Sequence, residues 1–222
     1  MSINTAFYQI AKNVAASDLA EIIGAEITGI ETTATEKAII KDIASFHSAS
    51  VSTLVYQADP KLLVGLKIEK TIIITNEAGA AAAGPKHICL VVPSPRVGFA
   101  RAVDYLISEP DFGPSVSGVS PKAIIAPDTV IHPSATIMAR ASIGSGTVVE
   151  AGAIVHPAVT VGENCYVGSN AVLSHSVIGN HVRIGAGSVI GEAGFGFEMT
   201  GDGVVKIPHI GLVLVADSVS IG

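Results

Sequence analysis

Two regularities in one chain of 222 residues predict a small α/β domain followed by a parallel β-helix. From Ile125 onward, aliphatic residues return every sixth position. Before residue 110 that rhythm is absent, and short apolar runs alternate with helical patterns. The composition agrees with both parts: hydrophobic residues make up 49% and charged residues 14%, enough to fill a core and far from the signature of a disordered chain. Glycine has no three-residue period, which excludes collagen.

In the first part, Ser17 to Gly24 is predicted as a short helix. Asp18 and Glu21 have capping-box-like spacing, Leu19, Ile22 and Ile23 share a face, and Gly24 stops it. Thr71–Thr75 (TIIIT) and Ile88–Val92 (ICLVV) read as buried strands. Pro95 opens a second helix with Phe99, Ala102, Val103 and Leu106 on one face. These elements make residues 1–108 an α/β domain. Residues 109–120 (EPDFGPSVSGVS) read as a linker.

Residues 121–222 carry the rhythm. Ile125, Ile131, Ile137, Ile143, Val149, Val155, Val161, Val167 and Leu173 each stand six from the last. The phase then slips by one and resumes at Ile178, Ile184 and Ile190. With about one aliphatic in three residues, eight further matches in fixed phase have a chance probability on the order of 10⁻⁴. Short strands joined by tight corners, three to a coil, repeat in this way, and stacked coils stand about 4.8 Å apart. Each aliphatic then lies over the one 18 residues away, with Ile131, Ile143, Val149, Val161, Val167 and Ile184 expected inside. The glycines that follow the aliphatics, such as Gly144, Gly162 and Gly168, are read as permitting a backbone shape other residues resist. After Ile190 the rhythm breaks for a glycine-rich excursion at 191–209, and it resumes at Val215 and Ile221. Such excursions usually mark the functional face. Phe195 and Phe197 within it either plug a core under the loop or form a ligand wall.

The net charge is −6 and no basic block appears, which argues against a nucleic-acid groove. Cys89 and Cys165 are too few for a disulfide framework or a four-cysteine metal site, and read as small buried residues of a reducing compartment. The N-terminus lacks the continuous apolar stretch of a secretory signal, and no run is long enough for a membrane span. The expectation is a soluble, cytoplasmic protein.

The hexapeptide pattern resembles that of left-handed β-helices. The whole combination resembles the UDP-3-O-(3-hydroxyacyl)glucosamine N-acyltransferases of lipid A biosynthesis. The segments that carry the resemblance are Ser17–Ile27 (SDLAEIIGAEI), Tyr56 with Asp59-Pro60-Lys61, Ser94–Ala102 (SPRVGFARA), Gly194-Phe195-Gly196-Phe197 and Lys206-Ile207-Pro208. The resemblance implies a homotrimer that moves a 3-hydroxyacyl group from acyl carrier protein to the 2-amine of a UDP-linked acylglucosamine, with no cofactor and no metal. In the family the uracil stacks on aromatics of a Phe-x-x-Asn-Pro-Lys-Tyr segment. Tyr56 matches the first aromatic and Lys61 the lysine, near the diphosphate. Asp59 stands where Asn is usual and Leu62 where Tyr is usual, so one stacking wall is expected to be missing. Phe195, Phe197 and Lys206 of the excursion complete the expected substrate-binding set.

The family's catalytic histidine lies in coils beyond the Lys-Ile-Pro segment, and this chain stops at Ser220-Ile221-Gly222. No residue matches that histidine, so the expectation is a chain without its proton acceptor, truncated and inactive as it stands. His175, just before the excursion, is kept as the single catalytic candidate. His132 and His156 sit on corners expected to face solvent, His181 lies one side further along the coil than His175, and His209 is read as a loop hydrogen-bonder. Two other readings stay open: a different hexapeptide sugar O-acyltransferase or acetyltransferase, and a non-catalytic nucleotide-sugar-binding module. A hexapeptide carbonic anhydrase would need three converging histidines, and His175 with His181 lacks a third.

Overall fold

The computed structural model describes residues 3–29, 38–114, 117–201 and 203–222. Residues 115 and 116 of the predicted linker and residue 202 of the excursion lie outside the described residues. The chain divides into two units, Met1–Glu109 with Phe195–His209, and Pro110–Gly194 with Ile210–Gly222.

The first unit contains, in chain order, β1 (Gln9–Ile10), α1 (Ala16–Ile23), β2 (Glu26–Thr28), β3 (Asp42–Ile43), β4 (Thr53–Tyr56), α2 (Pro60–Leu63), β5 (Ile72–Thr75), α3 (Glu77–Ala83), β6 (Ile88–Val91), α4 (Pro95–Leu106) and β7 (Ile107–Ser108). A five-stranded sheet has the order β2-β6-β5-β4-β3. Strands β3 to β6 are parallel, and β2 is an antiparallel edge on β6. Ile72, Ile73 and Ile74 are all fully buried. That is why the sequence shows an unbroken apolar run there: a central parallel strand is covered on both faces. Strands β1 and β7 pair separately.

Helix α1 forms as expected and ends on Gly24 in the left-handed conformation, at φ 68°. The capping box does not form: the N-cap is Ala15, with no side-chain cap, and Asp18 lies inside the first turn. Leu19 and Ile23, one turn apart, are buried, whereas Ile22 is exposed.

The second unit consists of three parallel sheets, one per side of a coil. One side stacks strands Ile124–Ile125, Ser142–Ile143, Thr160–Val161, Ser176–Ile178 and Val213–Val215. The next stacks Val130–Ile131, Val148–Val149, Tyr166–Val167, Arg183–Ile184 and Ser220–Ile221. The third stacks Thr136–Ile137, Ile154–Val155, Val172–Leu173 and Val189–Ile190. Ile143 pairs with Val161, and Val149 with Val167, in the expected 18-residue register. The slip is equally literal, since Val161 pairs with Ile178 and Val167 with Ile184. Hexapeptide repeats with parallel sheets of this kind fit a left-handed β-helix. Ile143, Val149, Val161, Val167 and Ile184 are buried. Ile131 is only half-buried, because it lies on the first strand of its side and is covered from one direction alone. The end of the predicted linker already belongs to the coils: Ser120 donates its N–H to the Ile137 carbonyl, and Ile137 to that of Gly118.

The glycines after the aliphatics are there for a different reason than the sequence suggests. Gly144, Gly162 and Gly168 do not adopt positive φ. A Cβ on Gly144 would stand 2.6 Å from the Gly162 backbone of the next coil, so close stacking excludes a side chain. Positive φ falls instead three residues after the inward aliphatic, at Arg140, Gly146, Gly152, Ala158, Asn164, Asn170, His181, Gly187 and Ser218. Asn and Gly tolerate that conformation best, and they hold most of those corners.

Candidate functional site

Within the first unit, helix α4 joins most of the residues singled out by the sequence. Its N1 proline presets the first turn, and Arg96 and Phe99, three residues apart, project from one face. The Phe99 ring packs on Tyr56 with centroids 5.0 Å apart and planes tilted by 37°. Tyr56 ends β4 and stays 39% exposed beside that contact. Arg96 Nη1 lies 2.6 Å from Glu198 Oε1 on the excursion.

The excursion is not an irregular loop. Phe197–Thr200 and Gly203–Lys206 form an antiparallel hairpin, with Phe197 opposite Lys206 and Glu198 opposite Val205. Glu198 and Val205, on the face toward α4, are half-buried, while Phe197, Met199, Val204 and Lys206 are exposed. α4 packs against strand Gly203–Lys206. Tyr8 fixes the far end by donating its hydroxyl to the His209 carbonyl at 3.0 Å. Burial, with the nearby Glu109 carboxylate second, pushes the Tyr8 phenol up to about 12, which keeps it a donor. Phe195 does not plug a core: it is 95% exposed, and its ring packs against Phe197 with centroids 4.6 Å apart and planes tilted by 57°. Phe195, Phe197 and Lys206 thus form one outward cluster.

Asp59 and Lys61 occupy the turn after Tyr56. Asp59 is the N-cap of α2 and accepts the Lys61 N–H at 2.9 Å. Its carboxylate is therefore spent on the turn, a task Asn would perform equally. Lys61 and Leu62 are exposed. The aromatic neighbour of Tyr56 is Phe99, from a helix 43 residues further on, and not the residue at position 62. The sequence placed Phe99 on the core face of α4 and gave no sign of this contact.

His175 lies in the second unit at the shortened corner where the phase slips, at φ 35°. Its Nδ1 is 2.9 Å from Ser174 Oγ, which itself donates to the Gly191 carbonyl at 3.1 Å. Where the Ser174 hydroxyl donates to Gly191, it is left to accept from Nδ1. Val213 donates its N–H to the His175 carbonyl at 2.9 Å. Gly191 admits no side chain, since a Cβ would collide with the Ser174 carbonyl. Ser174 and His175 therefore clasp both the departure and the return of the excursion. His132 hydrogen-bonds Ser134 at 2.8 Å and is exposed. His156 is half-buried, and His181 and His209 are exposed.

Among the described residues no group of three His, Cys, Asp or Glu is placed to hold a metal. No helix among them is long and apolar enough to cross a membrane. Cys89 and Cys165 are buried thiols, and burial pushes Cys89 up to about 11. Two clefts of about 490 and 430 Å³ open along β2, β6 and α3, lined by Glu26, Glu77 and Val91 among others. Neither is lined by Tyr56, Phe99 or the hairpin.

Parallel sheets with a six-residue repeat define the class of the second unit as a hexapeptide β-helix. Residues 140–175 and 158–192 match the family of bacterial transferase hexapeptides (six repeats). Among solved structures, the acetyltransferase domain of PglB from Neisseria gonorrhoeae is 26% identical over 32% of this chain and 47% of its own, with a TM-score of 0.21. The chain thus spans about half the length of that relative. The same domain in complex with acetyl coenzyme A is 16% identical over 76% of this chain and 82% of its own, with a TM-score of 0.22. A mutant of perosamine N-acetyltransferase from Caulobacter crescentus, in complex with CoA and GDP-perosamine, is 16% identical over 79% of this chain and 94% of its own, with a TM-score of 0.19. At such scores the neighbours' ligands carry no weight for this chain.

Proposed function

We propose that this chain binds a UDP-linked acylglucosamine through its first unit and serves N-acyl transfer from acyl carrier protein in lipid A biosynthesis. The observation that carries the reading is the role of α4. One helix face supports Tyr56 through Phe99 and the Phe195–Phe197–Lys206 hairpin through Arg96 and Glu198. The Tyr56 segment and the excursion are two of the stretches by which the sequence resembles the N-acyltransferases, and Tyr56 and Phe195–His209 of the excursion belong to the first unit. The partly exposed Tyr56 suits stacking with a uracil, and Lys61, two residues past its capping Asp59, offers a cation for the diphosphate. The hexapeptide-transferase match of the coils agrees with acyl transfer. Exposed Ile124, Val130 and Val189 on the outside of the coils are the kind of surface a homotrimer would cover.

The chemistry sets what such a site must do. A thioester carbonyl is attacked by a neutral amine, the carbonyl oxygen gains negative charge, and the amine loses a proton. Backbone N–H groups suit the oxyanion and a histidine suits the proton. His175 is read here as a clasp on the excursion, and the proton acceptor is assigned to none of the seven histidines.

A second reading has one observation in its favour. The family match covers only the coils, which acetyl-CoA-dependent sugar acetyltransferases share. Titration with UDP-N-acetylglucosamine, compared with other nucleotide sugars, tests the acceptor, and binding of acyl carrier protein against acetyl-CoA tests the donor. Tyr56→Ala is expected to weaken UDP-N-acetylglucosamine by about 1–3 kcal/mol, the worth of one stacked base. Equal affinity would remove Tyr56 from the site, and preference for acetyl-CoA would favour the second reading.

A further inference from the structure

The turn that follows Tyr56 is tied to the sheet by two side chains that no sequence motif singles out. Strand β4 ends at Tyr56, paired with Ile74, and the ladder closes with Gln57 N–H donating to the Ile74 carbonyl at 3.1 Å. Beyond that point Gln57 Oε1 accepts the Asp59 N–H and Asp59 Oδ1 accepts the Lys61 N–H, each at 2.9 Å. Those two bonds shape the turn but do not anchor it. The anchors come from the end of β5. Thr75, fully buried, donates its hydroxyl to the Gln57 carbonyl at 2.7 Å. Asn76 donates Nδ2 to the Ala58 carbonyl at 3.3 Å.

Neither anchor is free to choose another arrangement. The Asn76 amide is oriented by its other end, because Oδ1 caps α3 by accepting the Gly79 N–H at 2.8 Å. Position 79 is glycine because a Cβ there would collide with the Thr75 hydroxyl. One short stretch, Thr75 to Gly79, thus caps a helix and holds two successive carbonyls of the turn that carries Lys61.

Resting on the nucleotide reading above, we propose that Thr75 and Asn76 are positioning residues, which hold the Tyr56–Lys61 segment in the shape that receives a uridine diphosphate. The variant that separates this role from plain stability is Asn76→Asp. The carboxylate keeps the acceptor for the Gly79 N–H, and a negative charge suits a helix N-terminus, but the donor to Ala58 is gone. Thr75→Val removes the hydroxyl at nearly constant volume, and Thr75→Ser restores it.

The experiment is a calorimetric titration of UDP-N-acetylglucosamine into the full chain, with Tm and amide exchange of residues 57–61 read for each variant. Asn76→Asp and Thr75→Val are expected to weaken binding roughly threefold to tenfold, the worth of one net hydrogen bond. Thr75→Ser is expected to bind within about twofold of the wild type. Exchange at 57–61 is expected to quicken in Asn76→Asp with its Tm unchanged. If Tyr56→Ala weakens binding while Asn76→Asp and Thr75→Val bind as the wild type does, the positioning role is overturned and the nucleotide reading stands. If Tyr56→Ala binds as the wild type does, the nucleotide reading fails on its own account. The exchange of residues 57–61 then decides whether the turn is anchored, and unchanged exchange overturns that as well.

Discussion

Burial acts on single residues of the first unit in opposite ways. Tyr56 packs on Phe99 and still stays partly exposed. His87, just before β6, is 1% exposed, and its Nδ1 has no hydrogen-bond partner. Burial pushes its imidazole below the usual value. The Lys86 charge acts in the same direction, while the Leu66 carbonyl and the Glu69 carboxylate oppose it. The unfolded chain therefore binds the proton more readily than the folded one. Stability is complete above the unfolded value near 6.5 and is lost as the pH falls below it. Urea unfolding at pH 7.5 and at pH 5.5 checks this. The wild type is expected to lose stability at the lower pH, and His87→Gln is expected to lose less. An equal loss in both would assign the acid sensitivity to other groups. Tyr56 was legible in the sequence because its neighbours Asp59, Pro60 and Lys61 are local. Phe99 was not, because nothing in its own segment records which strand α4 covers.

Among the elements, the coils were the most legible part, since a fixed period fixes both the register and the inward positions. The slip at Ser174–His175 could be read off the sequence as well, and the pairings confirm it. What the sequence misassigned was the work of the glycines, because close approach of a neighbouring coil leaves no local trace. The correction can be measured. Gly144→Ala forces a methyl group against the Gly162 backbone and is expected to destabilise the second unit by about 1–3 kcal/mol. Gly187→Asn places a tolerant residue at φ 73° with nothing within 4 Å, and is expected to change stability by less than about 0.5 kcal/mol. Thermal unfolding of both variants tests the pair, and equal losses would return the role of the glycines to backbone conformation.

For the whole molecule, the proposed transfer is read by offering the 222-residue chain a 3-hydroxyacyl-acyl carrier protein and UDP-3-O-acylglucosamine. Loss of a general base costs about 10²–10⁴ in rate, so a His175 that only clasps the excursion is expected to leave transfer unchanged in His175→Ala. Transfer that disappears in His175→Ala would instead make His175 the base. The hairpin was the least legible element, because it is held by residues from distant parts of the chain rather than by its own pattern. The Tyr8 hydroxyl reaches the His209 carbonyl across 201 positions of sequence. Along the sequence, the coils of residues 110–194 interrupt the first unit, as an insertion does in its host. On the ribosome, the β-sheet emerges first and its hairpin only after those coils have been made. The first unit is thus begun early in synthesis and can be completed only after the coils have been made.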